Sequence, residues 1–161
     1  MPVGCYRLLT VALMSFVATN VSAAVMKYVR YESEGRAAYG VLDGETVREL
    51  SSAPWAQGKA TGKTVKLSEV KLLAPAEPAK ILCAGLNYKS HIGQQQVAEY
   101  VGLFSKFPTS IVGPEANIVY PADATNLHYE GELVVVIGKQ AHNVPREQAL
   151  DHVFGVTVGR E

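Results

Sequence analysis

The 161 residues suffice for one ordinary domain, or for a small domain followed by part of a larger one. With 48% hydrophobic and 19% charged residues, the chain lies in the range of folded globular proteins and outside that of disordered ones. Lys+Arg 15 and Asp+Glu 15 cancel, which leaves no basic field to attract nucleic acid, and Cys5 and Cys83 alone exclude a disulfide framework or a Cys-based zinc knuckle.

The chain opens with Arg7, then a mostly apolar run over 8–21 that is short for a bilayer span, then Val21, Ser22 and Ala23 where a signal peptidase reads small side chains. This order predicts a signal peptide over 1–24 and an exported or periplasmic protein with no membrane contact once the leader is removed. Met26, followed by Lys27-Tyr28-Val29-Arg30, offers the competing start of a cytoplasmic protein. Alternation over 26–32 predicts a strand, and Ala37–Leu42 a second. Asp43-Gly44 is a hairpin turn, and Thr46–Leu50 returns as a third strand. Residues 51–64 are rich in Ser, Gly, Ala and Pro and read as loop. Gly58–Thr64 imitates a phosphate-binding loop but has one residue too few before Gly62-Lys63-Thr64, and no apolar strand precedes it.

Val65–Leu73 is strand-like, and the segment from Ala74 to Pro78 marks the domain boundary. A small β-rich domain is therefore expected over 25–74 and a second domain over 79–161. Lys80–Ala84 reads as a buried strand holding Cys83 as a small core residue. The following residues to 104 carry a weak helix signal, and 108–121 reads as loop and short strand. Leu133–Ile137 is a β-branched run typical of a central strand. Pro145–Phe154 predicts a helix, with Pro145 at its first position and Gly155 at its stop. The class is α+β, mainly β.

Three features carry chemistry. In Tyr129-Glu130-Gly131-Glu132, strand alternation puts the two glutamates on one face, with Cβ atoms roughly 7 Å apart. Such carboxylates repel unless neutralised, and a hard divalent cation between them would do so. The tetrapeptide alone also fits an exposed strand edge with two solvated glutamates, but the apolar run after it favours a strand entering a core. His91 follows the turn after a predicted strand and offers a general base near neutral pH, or a surface histidine. Lys106 offers positive charge to an anionic substrate, or a solvated lysine. His128, His142 and His152 do not form a ligand spacing.

Together and in this order, Lys80-Ile-Leu-Cys-Ala-Gly-Leu-Asn-Tyr-Lys-Ser-His91, Lys106-Phe-Pro-Thr-Ser110, Tyr129 to Gly138 and Asn143 to Val158 resemble the fumarylacetoacetate hydrolase family. The resemblance covers roughly residues 26 to 161. It implies a small β-rich domain followed by a mixed β-roll catalytic domain. It implies Mg²⁺ or Mn²⁺ held by Glu130, Glu132 and Glu161, with His91 activating water and Lys106 on the substrate side. It implies cleavage of a C–C bond in an acylpyruvate-like or related oxo acid, by a hydrolase or a decarboxylase/lyase, in a protein that is a homodimer when complete. Gln94 stands where the family often places a glutamate beside the histidine; a neutral amide orients His91 but stabilises its cation less, which favours lyase chemistry over hydrolysis. The family's catalytic domain runs beyond residue 161, so a truncated, non-catalytic member or an exported oxo-acid-binding protein are the alternative expectations.

Overall fold

The computed structural model describes residues 25–94 and 96–161; the leader expected over 1–24 lies outside the described residues. The architecture is mainly β. Strands β1 (Lys27–Ser33), β2 (Arg36–Asp43), β3 (Thr46–Leu50), β4 (Ala60–Lys66) and β5 (Lys71–Leu72) form an antiparallel sheet in the order β4-β3-β2-β1-β5. Two tight turns set its register. Glu34 and Gly35 both take positive φ between the paired Ser33 and Arg36, and Gly44 takes φ +59° between the paired Asp43 and Thr46. Left-handed backbone at the turn matches the twist of the flanking strands. The expected loop over 51–64 is only partly a loop. From Ala60 onward it is β4, which takes in all of the phosphate-loop imitation except Gly58 and Lys59. Thr61, Thr64 and Val65 suit a strand, and pairing with β3 outweighs the Gly content.

Alternation gives this sheet two working faces. On one, Tyr31, Ala38 and Val47 are buried and pack with Val29, Leu42, Val65, Leu67, Val70 and Leu72. The other carries Tyr28 and Tyr39. Trp55 stands edge-on to Tyr39 with centroids 5.4 Å apart, and Phe154 from the later part of the chain lies 5.3 Å from Tyr28 and 5.5 Å from Trp55. Aromatic pairs at such separations gain from edge-to-face geometry as well as burial. Gly113 closes against the backbone of Leu72 and Leu73, where a Cβ would come within 2.9 Å of the Leu72 carbonyl oxygen.

The remaining strands form two ribbons. Strand β6 (Ile81–Gly85) pairs with β7 (Gly102–Lys106), and β8 (Gly131–Ile137) pairs with β9 (Val153–Arg160), all antiparallel. A single helical turn, α1 (Lys89–Ile92), stands between β6 and β7. Three findings differ from the sequence reading. First, the helix expected over Pro145–Phe154 is a 3-10 stretch at Arg146–His152, and Val153 and Phe154 already belong to β9. Val153 is β-branched and pairs with Ile137, and Phe154 packs over Gly138, where a Cβ would meet the Phe154 Cβ at 2.7 Å; these contacts outweigh helical periodicity. Second, β8 has one strand neighbour among the described residues and is not a central strand. Leu133 is 65% exposed. Third, Cys83 is half-buried, because β6 likewise has one neighbour among the described residues.

Candidate functional site

The site is built where the β8/β9 ribbon meets the turn after β6. Strand β6 ends at Gly85, and Leu86 then takes φ +52°. A left-handed non-glycine residue at a strand end is uncommon, and here it redirects the chain into α1. The His91 N–H closes that turn on the Tyr88 carbonyl oxygen at 2.9 Å. The His91 ring is thus carried by a hydrogen-bonded turn on the end of a strand.

Glu130 directly precedes β8 and extends its ladder by one pair. Its N–H donates to the Glu161 carbonyl oxygen at 2.8 Å, and the Glu161 N–H donates back to the Glu130 carbonyl oxygen at 2.9 Å. The next pairs are Gly131 with Arg160 and Glu132 with Gly159. Residues directly opposite in an antiparallel ladder project to the same face, and the faces alternate along each strand. Glu130, Glu132 and Glu161 therefore share one face, with Gly159 across from Glu132. A Cβ on Gly159 would lie 2.7 Å from Val134 Cγ2 and 3.9 Å from the Glu132 Cβ, so its hydrogen leaves room beside the carboxylates. Arg160 projects to the other face, where its guanidinium stacks on the Tyr129 ring at 4.6 Å.

Both expected carboxylates of β8 line one open pocket of about 160 Å³ with His91, Tyr88, Ser90 and Gly131. His91 Nε2 stands 3.4 Å from Glu130 Oε1, with both side chains about half exposed. Lys106, at the end of β7, pairs its ammonium with the Glu161 carboxylate. Five of the six residues picked from the sequence thus gather here: His91, Lys106, Glu130, Glu132 and Glu161. Gln94 does not. It is exposed in the turn after α1 and does not line the pocket. His128 and His142 are exposed beside Asn126 and Asn143. Tyr88, Ser90 and Gly159 were not foreseen. Their roles follow from a turn and a strand register that no local pattern announces.

Among the described residues, no three His, Cys, Asp or Glu side chains converge closely enough to hold an ion; the carboxylates of Glu130 and Glu161 lie against His91 and Lys106. The donor set itself fits a hard divalent cation: three carboxylates on one face, with a glycine between them, offer oxygen ligands only.

The family described as "Fumarylacetoacetate (FAA) hydrolase C-terminal" matches residues 80–161, and "Rv2993c-like, N-terminal" matches residues 26–75. Protein Rv2993c of Mycobacterium tuberculosis is 38% identical over 146 residues, covering 84% of this chain and 55% of that protein. The mitochondrial oxaloacetate tautomerase fahd2 of Xenopus laevis is 42% identical over 97 residues, covering 58% of this chain and 30% of that protein. The crystal structure of 2-hydroxyhepta-2,4-diene-1,7-dioate isomerase from Mycobacterium marinum superposes with a TM-score of 0.75 at 34% identity, covering 84% of this chain and 54% of that one. This chain spans about half the length of Rv2993c and of that isomerase, and less of the tautomerase. A family match over 80–161, on the segment that holds the carboxylates, His91 and Lys106, shows that the chain belongs to the fumarylacetoacetate hydrolase family.

Proposed function

We propose that the whole protein is a divalent-metal-dependent enzyme that cleaves a C–C bond in an acylpyruvate-like 2-oxo acid. The observation that carries this reading is the placement of Glu130, Glu132 and Glu161 on one face of the β8/β9 ribbon, with His91 on the rim of the same pocket. Glu130, Glu132 and Glu161 would hold Mg²⁺ or Mn²⁺, which when bound acts as a Lewis acid on the oxo acid's oxygens and favours its enolate.

His91 supplies the proton transfer. Its imidazole takes a proton from water as the water oxygen attacks the distal carbonyl carbon. The C–C bond then breaks, its electron pair passes to the enolate of the oxo-acid fragment, and that carbon is reprotonated. Gln94 lies outside the pocket, and the carboxylate beside His91 is that of Glu130. Lys106 offers its ammonium to the substrate carboxylate. A second reading draws on the relatives named as a tautomerase and an isomerase. In that chemistry His91 moves a proton between carbon and oxygen of the same oxo acid, with no water attack and no bond cleavage.

Two measurements test the proposal. In calorimetric titration with Mn²⁺, Glu132→Gln is expected to weaken binding by about tenfold or more, while Glu147→Gln, on the exposed 3-10 stretch, leaves it unchanged. Equal effects of the two would remove the metal assignment. Product analysis with an acylpyruvate and with enol-oxaloacetate then separates the readings. Release of pyruvate from the first supports cleavage, and decay of the enol without fragmentation supports tautomerisation.

A further inference from the structure

Glu130 and Glu161 form a hydrogen-bonded pair directly across the ladder, where like charges are destabilising. Each has a separate basic partner. Lys106 reaches Glu161 from the end of β7, and His91 reaches Glu130 from α1. Neither base lies on the ribbon that carries the carboxylates; His91 comes from the turn between β6 and β7, and Lys106 from the end of β7. Among the described residues, Glu132 has no basic side chain within ion-pair distance. The two bases therefore occupy Glu130 and Glu161 and leave Glu132 open.

We propose that Lys106 is an internal counter-ion to Glu161 that a divalent cation displaces. This rests on the reading of the three carboxylates as metal ligands. Occupancy of the site is then an exchange of cations. Glu161 turns from Lys106 to the ion, and the Lys106 ammonium is released into the pocket mouth. The same side chain does two jobs in sequence. It first neutralises the carboxylate pair so that the ribbon closes, and afterwards faces the anionic substrate. The pair is partly exposed, at 38% for Lys106 and 28% for Glu161, so the exchange costs little and is reversible.

The test uses the intact protein, Mn²⁺ as the probe, and two readouts. The first is acylation of Lys106 by a water-soluble amine reagent, followed by peptide mass spectrometry, with Lys66 in the first sheet as internal standard. Mn²⁺ is expected to raise the Lys106 labelling rate at least severalfold and to leave Lys66 unchanged. The second is Mn²⁺ affinity by calorimetry. Lys106→Met is expected to bind about fivefold more tightly, the fold-change that a partly exposed ion pair is worth, whereas Arg160→Met, which removes equal charge from the opposite face, changes affinity by less. Mn²⁺ binding that depends on Glu132 but leaves Lys106 labelling unchanged or slower overturns the exchange and leaves the metal site standing. Equal gains from Lys106→Met and Arg160→Met also overturn it, since general charge then explains both. Mn²⁺ binding that is indifferent to Glu132→Gln overturns the metal reading and the exchange with it.

Discussion

Glu49 sits on the buried face of β3, opposite Gly40, with only 10% of its side chain exposed. The Arg36 guanidinium donates to it at 2.7 Å, and Tyr31 Oη and Thr61 Oγ1 approach at 3.4 and 3.2 Å. The hydrogen bond from Arg36 holds the carboxyl below its ordinary value against the opposing effect of burial, while burial and the adjacent Glu49 raise the Tyr31 phenol. A depressed folded value means that the unfolded chain takes up the proton first as pH falls. The stabilisation is complete above the ordinary carboxylate range and is lost through the depressed folded value. Glu49→Gln is expected to lower Tm by roughly 3–5 °C at neutral pH and to flatten the fall in Tm on acidification; an unchanged acid limb in a calorimetric pH series would contradict this. The residues of the candidate site were legible unevenly. Glu130 and Glu132 were readable because alternation is a local rule. Lys106 was readable only as a cation of open role and Glu161 only through family resemblance, since their pairing joins two ribbons far apart in sequence. Gln94 was drawn in by its spacing from His91, but α1 ends at Ile92 and leaves it in solvent.

The β2–β3 hairpin of the first sheet depends on two different properties of glycine. Gly40 is needed for space: a Cβ there would fall 2.4 Å from Val47 Cγ1 and 2.9 Å from the Arg48 carbonyl oxygen. Val47 is fully buried and the carbonyl belongs to the β2–β3 ladder, so neither can retreat. Gly44 is needed for its left-handed φ, with open space around it. Gly40→Ala is expected to cost about 2–3 kcal/mol by overpacking, and Gly44→Ala about 1 kcal/mol by backbone strain. Urea denaturation of the two variants tests the order, and a larger loss at Gly44 would reverse the argument. These hairpins were legible because alternation and turn residues are short-range. The stretch over Pro145–Phe154 misled because four apolar side chains at helical spacing also suit a 3-10 turn running into a strand. The deciding contacts, Ile137 to Val153 and Gly138 to Phe154, are not local.

At the scale of the molecule, the first sheet is tied to the residues after it by few contacts among the described residues. Beyond the aromatic group around Phe154 there are the Gly113 approach and the Arg30–Glu77 ion pair. The β8/β9 face opposite the carboxylates is apolar and exposed, with Leu133 paired to Val158 and Val135 to Val156. That surface explains why β8 reads from sequence as an interior strand. Its composition is that of a buried element, and among the described residues nothing covers it. The main β class and the antiparallel hairpins could be read in advance. The docking of the first sheet could not, because Tyr28, Tyr39 and Trp55 are ordinary strand and loop aromatics until Phe154 arrives from a distant strand.

Trp55 is the single tryptophan of the chain, and it stands between the Tyr39 ring of the first sheet and the Phe154 ring of β9. Its indole is therefore a native fluorophore at the seam between the two halves. Loss of that seam moves it from a ring-lined setting into water, so its emission should shift to the red when β9 parts from the sheet. Phe154→Leu should bring the shift to lower urea than the loss of far-ultraviolet ellipticity, and coincident transitions in that variant would mean that the halves come apart only as one unit.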